Sequence, residues 1–372
     1  MLCAEHVVEA DVTSSIWLIA ACATGAVCFS LHSEMCGAQI QESSMTAVRG
    51  IEEGLYAPIN GVNQWVTIRG RDRSNPALLI VGGVGVALSR MAPVFAPWET
   101  SFNVVQWDQP GAGTARSADG AVDATPVTLQ RIVDDGISVA SFVRDRLRIQ
   151  KLVLIGFSSG STVGLEMIRR RPELFSAFVG TGQIVHWQRQ DAASYRLVLD
   201  RARAEKNRAA IDELEQIGPP PYQTAEEDAL KSKYANALTK EEQQMFASLS
   251  PSAAAALRMP PADATYVPKG FEELDVRKQS FSVYLTLRRQ LTSFDAWSGG
   301  LRFDVPLFMF QGELDQFTVT AEVERFLTEA RSPAKRLMLI RGGGHSALFL
   351  RDEFLRLLNE HVRPLAIERA GG

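Results

Sequence analysis

The stretch KLVLIGFSSGSTVGLE, residues 151–166, constrains this chain more than any other. Residues 152–155 are a continuous apolar run with β-branched members, the pattern of a strand buried on both faces of a parallel sheet. Gly156-Phe157-Ser158-Ser159-Gly160 follows, a G-x-S-x-G. Residues 162–170 return to helical spacing, with Val163, Leu165, Met167 and Ile168 available for a buried face. Strand, sharp turn and helix in that order predict a nucleophile elbow, in which the turn lifts the Ser158 hydroxyl clear at its tip. Its glycines stand where a Cβ would collide with the strand or the helix. The plainer reading, in which Ser158 only caps the helix, gives no reason for the base and acid found downstream.

The rest of the chain supplies the setting. It has 372 residues, 46% of them apolar and 22% charged, which suits a globular protein of one large domain or two ordinary ones. A formal net charge of -4 gives no electrostatic reason to expect nucleic acid or an anionic membrane as a partner. All four cysteines, Cys3, Cys22, Cys28 and Cys36, fall in the first 36 residues, so no disulfide framework or thiolate metal site is expected in the body.

Residues 12–33 carry no Asp, Glu, Lys or Arg, which invites a signal-peptide reading. The flank argues against it: Glu5, Glu9 and Asp11 precede the segment, with no basic residue. The apolar core is also short for a membrane span. Residues 1–44 are read as a poorly structured extension outside the folded enzyme, with a cytoplasmic location; export through the apolar segment is the alternative. Met45 is where a compact domain is expected to begin.

Residues 55–59 and 62–68 flank Asn60-Gly61 and predict a β-hairpin. Residues 77–81 predict a buried strand ending in Gly82-Gly83-Val84-Gly85, with a helix over 88–95 beyond it. Residues 103–107 predict another strand, and 125–148 a long helix with Leu129, Ile132, Val133, Ile137, Ala140, Val143 and Leu147 on one face. A further strand is expected near 175–179. Alternating strands and helices of this kind imply a mostly parallel sheet. Between about 185 and 300 the chain becomes charged and helix-prone, with helices expected over 195–216, 226–238, 240–249 and 281–292. This segment, 185–299, is read as an all-helical insertion, because the strand pattern resumes at 305–311 and 336–340. A helix over 320–330 and an amphipathic closing helix over 347–362 complete the core, which is assigned to 45–184 and 300–372.

A serine hydroxyl is a weak nucleophile at neutral pH and needs an adjacent base, itself held by a third group. Of five histidines, His6 and His32 lie in the extension and His361 in the closing helix, while His186 follows a strand and could line a pocket. Only His345 sits on a glycine-rich loop directly after a core strand, so it is assigned as general base. The acid is expected between Ser158 and His345, again after a strand. Asp315 fits, with Glu313 on the same loop as its competitor. The backbone N–H groups of Gly83 and Ser159 are the expected oxyanion-hole donors. This chemistry requires no metal and no cofactor.

With these residues placed, the chain resembles the α/β-hydrolase superfamily, in the branch around proline iminopeptidases. The matching features are the elbow from Gly156 to Ser161, the strand and turn Val104-Val105-Gln106-Trp107-Asp108-Gln109, the acid turn from Gly312 to Asp315, and Gly344-His345. The resemblance implies an eight-stranded sheet flanked by helices, a helical cap, and a Ser158, Asp315, His345 triad. There are departures. The branch commonly has His-Gly-Gly-Pro-Gly where this chain has Val81-Gly82-Gly83-Val84-Gly85, Asp-Gln-Arg-Gly where it has Asp108-Gln109-Pro110-Gly111, and Trp where it has Ser159. A looser similarity runs to mobile-element-borne serine esterases, a group that includes macrolide esterases.

Three functions follow as expectations. The first is a serine hydrolase of a carboxylic ester or lactone, with a small-molecule substrate and water as its partners. The second is an aminopeptidase of the iminopeptidase kind, needing acidic cap residues for the substrate's ammonium group, for which Glu213, Glu215, Glu272 and Glu273 are candidates. The third is a non-catalytic binder on the same fold. The cap's aromatic supply, including Trp187, Tyr195, Phe246, Tyr284 and Trp297, suits the apolar cleft of the first. No feature of the sequence sets an oligomeric state.

Overall fold

Asn60 and Gly61 both adopt positive φ, 47° and 84°, the conformation of a two-residue hairpin turn. They join β1 (Ile51–Ile59) to β2 (Val62–Gly70) with Ile59 opposite Val62. The computed structural model describes residues 50–117, 120–249, 268 and 276–368. The expected extension over 1–44, with its cysteines, His6 and His32, and the acidic candidates Glu272 and Glu273 all lie outside the described residues.

From the hairpin the sheet continues through β3 (Ala77–Val81), β4 (Asn103–Trp107), β5 (Leu152–Phe157), β6 (Phe175–Thr181), β7 (Leu307–Gly312) and β8 (Lys335–Ile340). The spatial order is β1-β2-β4-β3-β5-β6-β7-β8. β2 meets β1 and β4 antiparallel; every other pairing is parallel. β5 is central, and its apolar run serves both faces: Leu152 and Leu154 pack on one side, Val153 and Ile155 on the other. This two-sided burial is why these strands read as continuous rather than alternating.

One face carries α2 (Leu129–Leu147) and α3 (Ser159–Arg170), whose Ile132, Val139, Val143, Val163 and Leu165 join the first cluster. The other face is covered by α1 (Ala92–Phe95) with its flanking 3₁₀ turns and by the C-terminal helices, through Phe95, Trp98, Phe349 and Phe354. The helix expected over 88–95 is therefore two short turns, Leu88–Met91 and Ala92–Phe95, with Pro93 at the start of the second, and a third turn, Ala96–Thr100, follows with Pro97 at its start. The helix expected from 125 begins at Leu129, because a residue before Pro126 is driven out of helical geometry and the Thr128 side chain caps the start, accepting from the Arg131 N–H at 3.1 Å.

Between β6 and β7 the described chain is helical: α4 (Trp187–Ala204), α5 (Arg208–Ile217), α6 (Ala225–Ala235), α7 (Lys240–Ser248) and α8 (Val276–Thr292). The single helix expected over 195–216 is two, because Lys206 turns to φ 55° and Asn207 caps a new helix by accepting from the Ala210 N–H at 3.2 Å. Apolar spacing runs through this break because both halves face one small cluster that includes Val198, Leu199, Ala210 and Leu214. After β7 comes α9 (Thr320–Glu329). The closing helix expected over 347–362 is broken too: a 3₁₀ turn, α10 (Arg351–Leu357), a π turn over Leu358–Val362 and α11 (Arg363–Glu368). Among the described residues no helix is long and apolar enough to cross a membrane.

Candidate active site

The loops that follow β3, β5, β7 and β8 all leave the sheet at its carboxyl edge, where open α/β sheets gather their functional groups. Ser158 stands between β5 and α3, at the N-cap of the helix, with φ 54° and ψ -130°, a backbone state that costs a non-glycine residue on the order of 1–3 kcal/mol. The surroundings enforce it. The Ser158 N–H donates to the Thr181 carbonyl at 3.1 Å and its own carbonyl accepts from Ser161 Oγ at 2.6 Å. A Cβ on Gly160 would stand 2.1 Å from the Gly82 carbonyl oxygen, so the elbow presses directly on the loop after β3. Gly156 is equally confined, since its Cβ would meet the Ser161 Cα at 2.7 Å.

Three side chains far apart in sequence converge on the tip. His345 Nε2 lies 2.9 Å from Ser158 Oγ, and His345 Nδ1 lies 3.1 Å from Asp315 Oδ2. With Nδ1 protonated and donating to Asp315, Nε2 is left free to take the serine proton. The imidazole is flanked by the rings of Phe157 at 5.5 Å and Phe317 at 4.8 Å. Asp315 is buried and fixed: Oδ1 accepts from the N–H groups of Phe317 and Thr318 at 2.8 and 2.9 Å, and Oδ2 from Thr318 Oγ1 at 2.5 Å. Burial alone would raise its pKa, but His345 and the Thr318 donors outweigh that and hold the carboxyl below its usual range. Glu313 faces outward and accepts from the Gly342 N–H at 3.2 Å, so it shares the loop without reaching the imidazole.

The loop after β3 is held from two sides. Val84 donates its N–H to Ser159 Oγ at 3.0 Å. Gln109 donates through Nε2 to the Gly82 carbonyl at 3.0 Å and accepts at Oε1 from the Gly85 N–H at 3.2 Å. Among the described residues no acceptor engages the N–H of Gly83 or of Ser159, which leaves both free to serve an oxyanion. Asp108, the neighbour of Gln109 in the chain, accepts from the Ser89 N–H and Oγ, both at 2.8 Å. Its complete burial pushes its pKa up to about 6, against the lowering pull of the Ser89 donors.

The other sequence candidates stand elsewhere. His186 does not join the site: it caps α4, its Nδ1 accepting from the Arg189 N–H at 3.5 Å, with its ring beside Trp297. His361 lies in the π turn near Glu360. Glu213 is bound to Lys233 and Tyr234, and Glu215 to Arg203, all at the surface of the helical segment. Sequence reasoning missed Glu242 of α7. It is buried, and its Oε1 accepts from the Gly344 N–H at 2.8 Å, next to His345. Its one sequence signal was a capping box with Thr239, which accounts for Oε2 alone.

Known proteins repeat this architecture. A probable aminopeptidase of Bacillus subtilis, YbaC, is 29% identical over 166 residues, 44% of this chain and 52% of that protein. The chain thus spans about half the length of the curated relatives it matches. Among solved structures, 2-hydroxy-6-oxo-6-phenylhexa-2,4-dienoate hydrolase from a Rhodococcus species aligns with a TM-score of 0.55 at 17% identity, over 85% of this chain and 99% of that one. A proline iminopeptidase-related protein from Thermus thermophilus aligns at 0.53 and 18%, over 86% and 98%. At those identities the likeness is one of fold. Residues 72–352 match the family described as serine aminopeptidase, S33, and the chain belongs to that family of serine-hydrolase-type enzymes with the α/β-hydrolase fold.

Proposed function

We propose that this protein hydrolyses a carboxylic ester or lactone through an acyl-enzyme, with Ser158 as nucleophile, His345 as general base and Asp315 as its orienting acid. The observation that carries the reading is the continuous contact from Ser158 Oγ through His345 to Asp315, at 2.9 and 3.1 Å. In the proposed reaction Ser158 Oγ attacks the acyl carbon as its proton passes to His345 Nε2, and the N–H groups of Gly83 and Ser159 receive the oxyanion. Collapse expels the alcohol, which takes the proton from the imidazolium. Water, deprotonated by the same imidazole, then attacks the acyl-enzyme and releases the acid and Ser158. Residues 185–299 act in this reading as a cap over a core made of 45–184 and 300–372.

The aminopeptidase reading is favoured by the family's description and by the Bacillus relative. What weighs against it is charge. An ammonium group needs an unmatched buried carboxylate, whereas Glu213 and Glu215 are already paired at the surface. The buried cap carboxylates Asp191 and Asp228 face Lys231 at 2.6 Å and Arg288 at 3.6 Å. A neutral substrate fits this balance, a macrolide-type lactone among them. The test is kcat/KM on a panel of neutral esters, lactones and prolyl-4-nitroanilide. The ester reading expects an ester or lactone to lead; if the prolyl amide leads, the aminopeptidase reading replaces it.

A further inference from the structure

Val283 of α8, a residue of the helical segment, packs against the loop that carries the Gly83 N–H. A Cβ on Gly85 would stand 2.5 Å from the Val283 Cβ and 2.7 and 2.8 Å from its two Cγ atoms. A Cβ on Gly111, in the turn after β4, would stand 2.5 Å from Val283 Cγ2. Both glycines have positive φ, 71° and 83°, so one buried, branched side chain fills the space that two glycine turns leave open. Three residues earlier on the same helix, Ser280 Oγ donates to the Val84 carbonyl at 3.4 Å. α8 therefore lies against Val84 and Gly85, the two residues that follow the proposed oxyanion donor.

Gly83 itself is loosely surrounded. A Cβ there would find nothing nearer than Ser159 Oγ at 3.5 Å and Val86 Cγ2 at 3.6 Å, ordinary contact distances. Its neighbours are held by hydrogen bonds from Ser159 and Gln109. Bonds of that kind form over roughly 2.7–3.2 Å and leave a loop some play, whereas close-packed contact resists displacement steeply. α8 can serve as a stop because it is itself anchored. Gln290 Oε1 accepts from the Leu129 N–H at 3.0 Å, the Tyr284 hydroxyl donates to Asp228, and Arg288 donates to the carbonyls of Tyr222 and Thr224 at 3.1 and 3.2 Å.

We propose that Val283 is a positioning residue for the reaction: packed against Gly85 and Gly111, it holds the Gly83 N–H where the oxyanion forms. The inference rests on the serine-nucleophile reading of the site, and is indifferent to whether the substrate is an ester or an amide. Truncating Val283 leaves the loop the play that its hydrogen bonds allow. A displaced oxyanion donor loses part of the 10²–10³ in kcat that such a donor contributes. The loss falls on kcat because the donor acts on charge that develops in the transition state.

Val283→Ala, Val283→Leu, Val283→Thr and Leu291→Ala are compared with wild type in the full chain. Two rates are read: Ser158 labelling by a fluorophosphonate, whose phosphoryl oxygen enters the same hole, and hydrolysis of 4-nitrophenyl butyrate. Val283→Ala is expected to slow labelling and kcat about tenfold with KM nearly unchanged. Val283→Leu should do likewise, because its branch point lies one carbon further from the backbone. Val283→Thr keeps the branch at Cβ, and its hydroxyl can bond the helix carbonyl of Gln279, so both rates are retained even if the variant melts lower. Leu291, buried in the same apolar cluster, lies about 12 Å further along α8, so Leu291→Ala should leave both rates intact. If Val283→Ala does not fold, the Leu and Thr variants decide; if no ester is hydrolysed, labelling alone decides. The inference is overturned if Val283→Thr falls as far as Val283→Ala or Val283→Leu, if Leu291→Ala slows both rates as much, or if the change is confined to KM. An adduct formed equally fast in every variant removes this inference alone, whereas no adduct on wild-type Ser158 removes the nucleophile assignment and this inference with it.

Discussion

Glu242 and Gly344 are 102 residues apart, yet the Glu242 carboxylate accepts the Gly344 N–H at 2.8 Å in a buried contact. Its other oxygen accepts from the Thr239 N–H at 3.0 Å, so one side chain starts α7 and fixes the loop that carries His345. Replacing the carboxylate by an amide turns an NH₂ toward one of two backbone donors. Glu242→Gln is expected to lower kcat about tenfold through a small displacement of His345, with KM nearly unchanged. Steady-state kinetics on an ester substrate check it; a change confined to KM would place Glu242 in substrate binding instead.

Ser159 bonds the Val84 N–H through its side chain, and Gln109 spans Gly82 and Gly85. Both hold the loop that carries the Gly83 N–H. Losing one oxyanion donor costs about 10²–10³ in kcat, and loosening its loop should cost part of that. Ser159→Ala and Gln109→Ala are each expected to lower kcat by about tenfold to a hundredfold. Unchanged kcat in both would remove Gly83 from the oxyanion hole.

Asp315 and Glu313 share one loop, but only Asp315 reaches the imidazole. Asp315→Asn is expected to cost on the order of 10⁴ in kcat by favouring the wrong tautomer of His345. Glu313→Gln, whose partner is the exposed-loop N–H of Gly342, should cost far less. The reverse ranking would mean the wrong carboxylate has been assigned.

Asp108 gives a pH signature. Its folded pKa is raised to about 6 from 3.8, so between these values the native state holds a proton that the unfolded chain has released. Its contribution is therefore intact below about pH 4 and lost as pH rises through 6, by on the order of 3 kcal/mol. The stability of wild type relative to Asp108→Asn should fall by about that amount between pH 4 and pH 7, measured by urea unfolding at each pH. A constant difference, or one that grows with pH, would contradict a carboxylate whose pKa is governed by burial.

The core was legible because its signals are local. Each strand bounded by a glycine turn read correctly, as 77–81 and 103–107 did to the residue, since a run buried on both faces leaves a one-dimensional trace. Asp315 and His345 stood out by their place after strands, and the structure sets His345 against Ser158 and Asp315 against His345. The errors lie where apolar spacing continues across a break, as at Lys206 and in the π turn at Leu358, because periodicity reports a buried face and not the path of the backbone. Glu242 escaped notice because its second partner is distant in sequence. Tyr222 and Asp228 carry no local sequence signal of their own; only packing shows that they are buried without full hydrogen bonding.

The central claim is that Ser158 is the nucleophile. The direct measurement is to treat the protein with a fluorophosphonate, follow loss of ester hydrolysis, and map the modified peptide by mass spectrometry. The account predicts one adduct, on Ser158, formed in step with the loss of activity and absent from Ser158→Ala and strongly slowed in His345→Ala. Full activity with no adduct, or an adduct on another residue that tracks the inactivation, would contradict it.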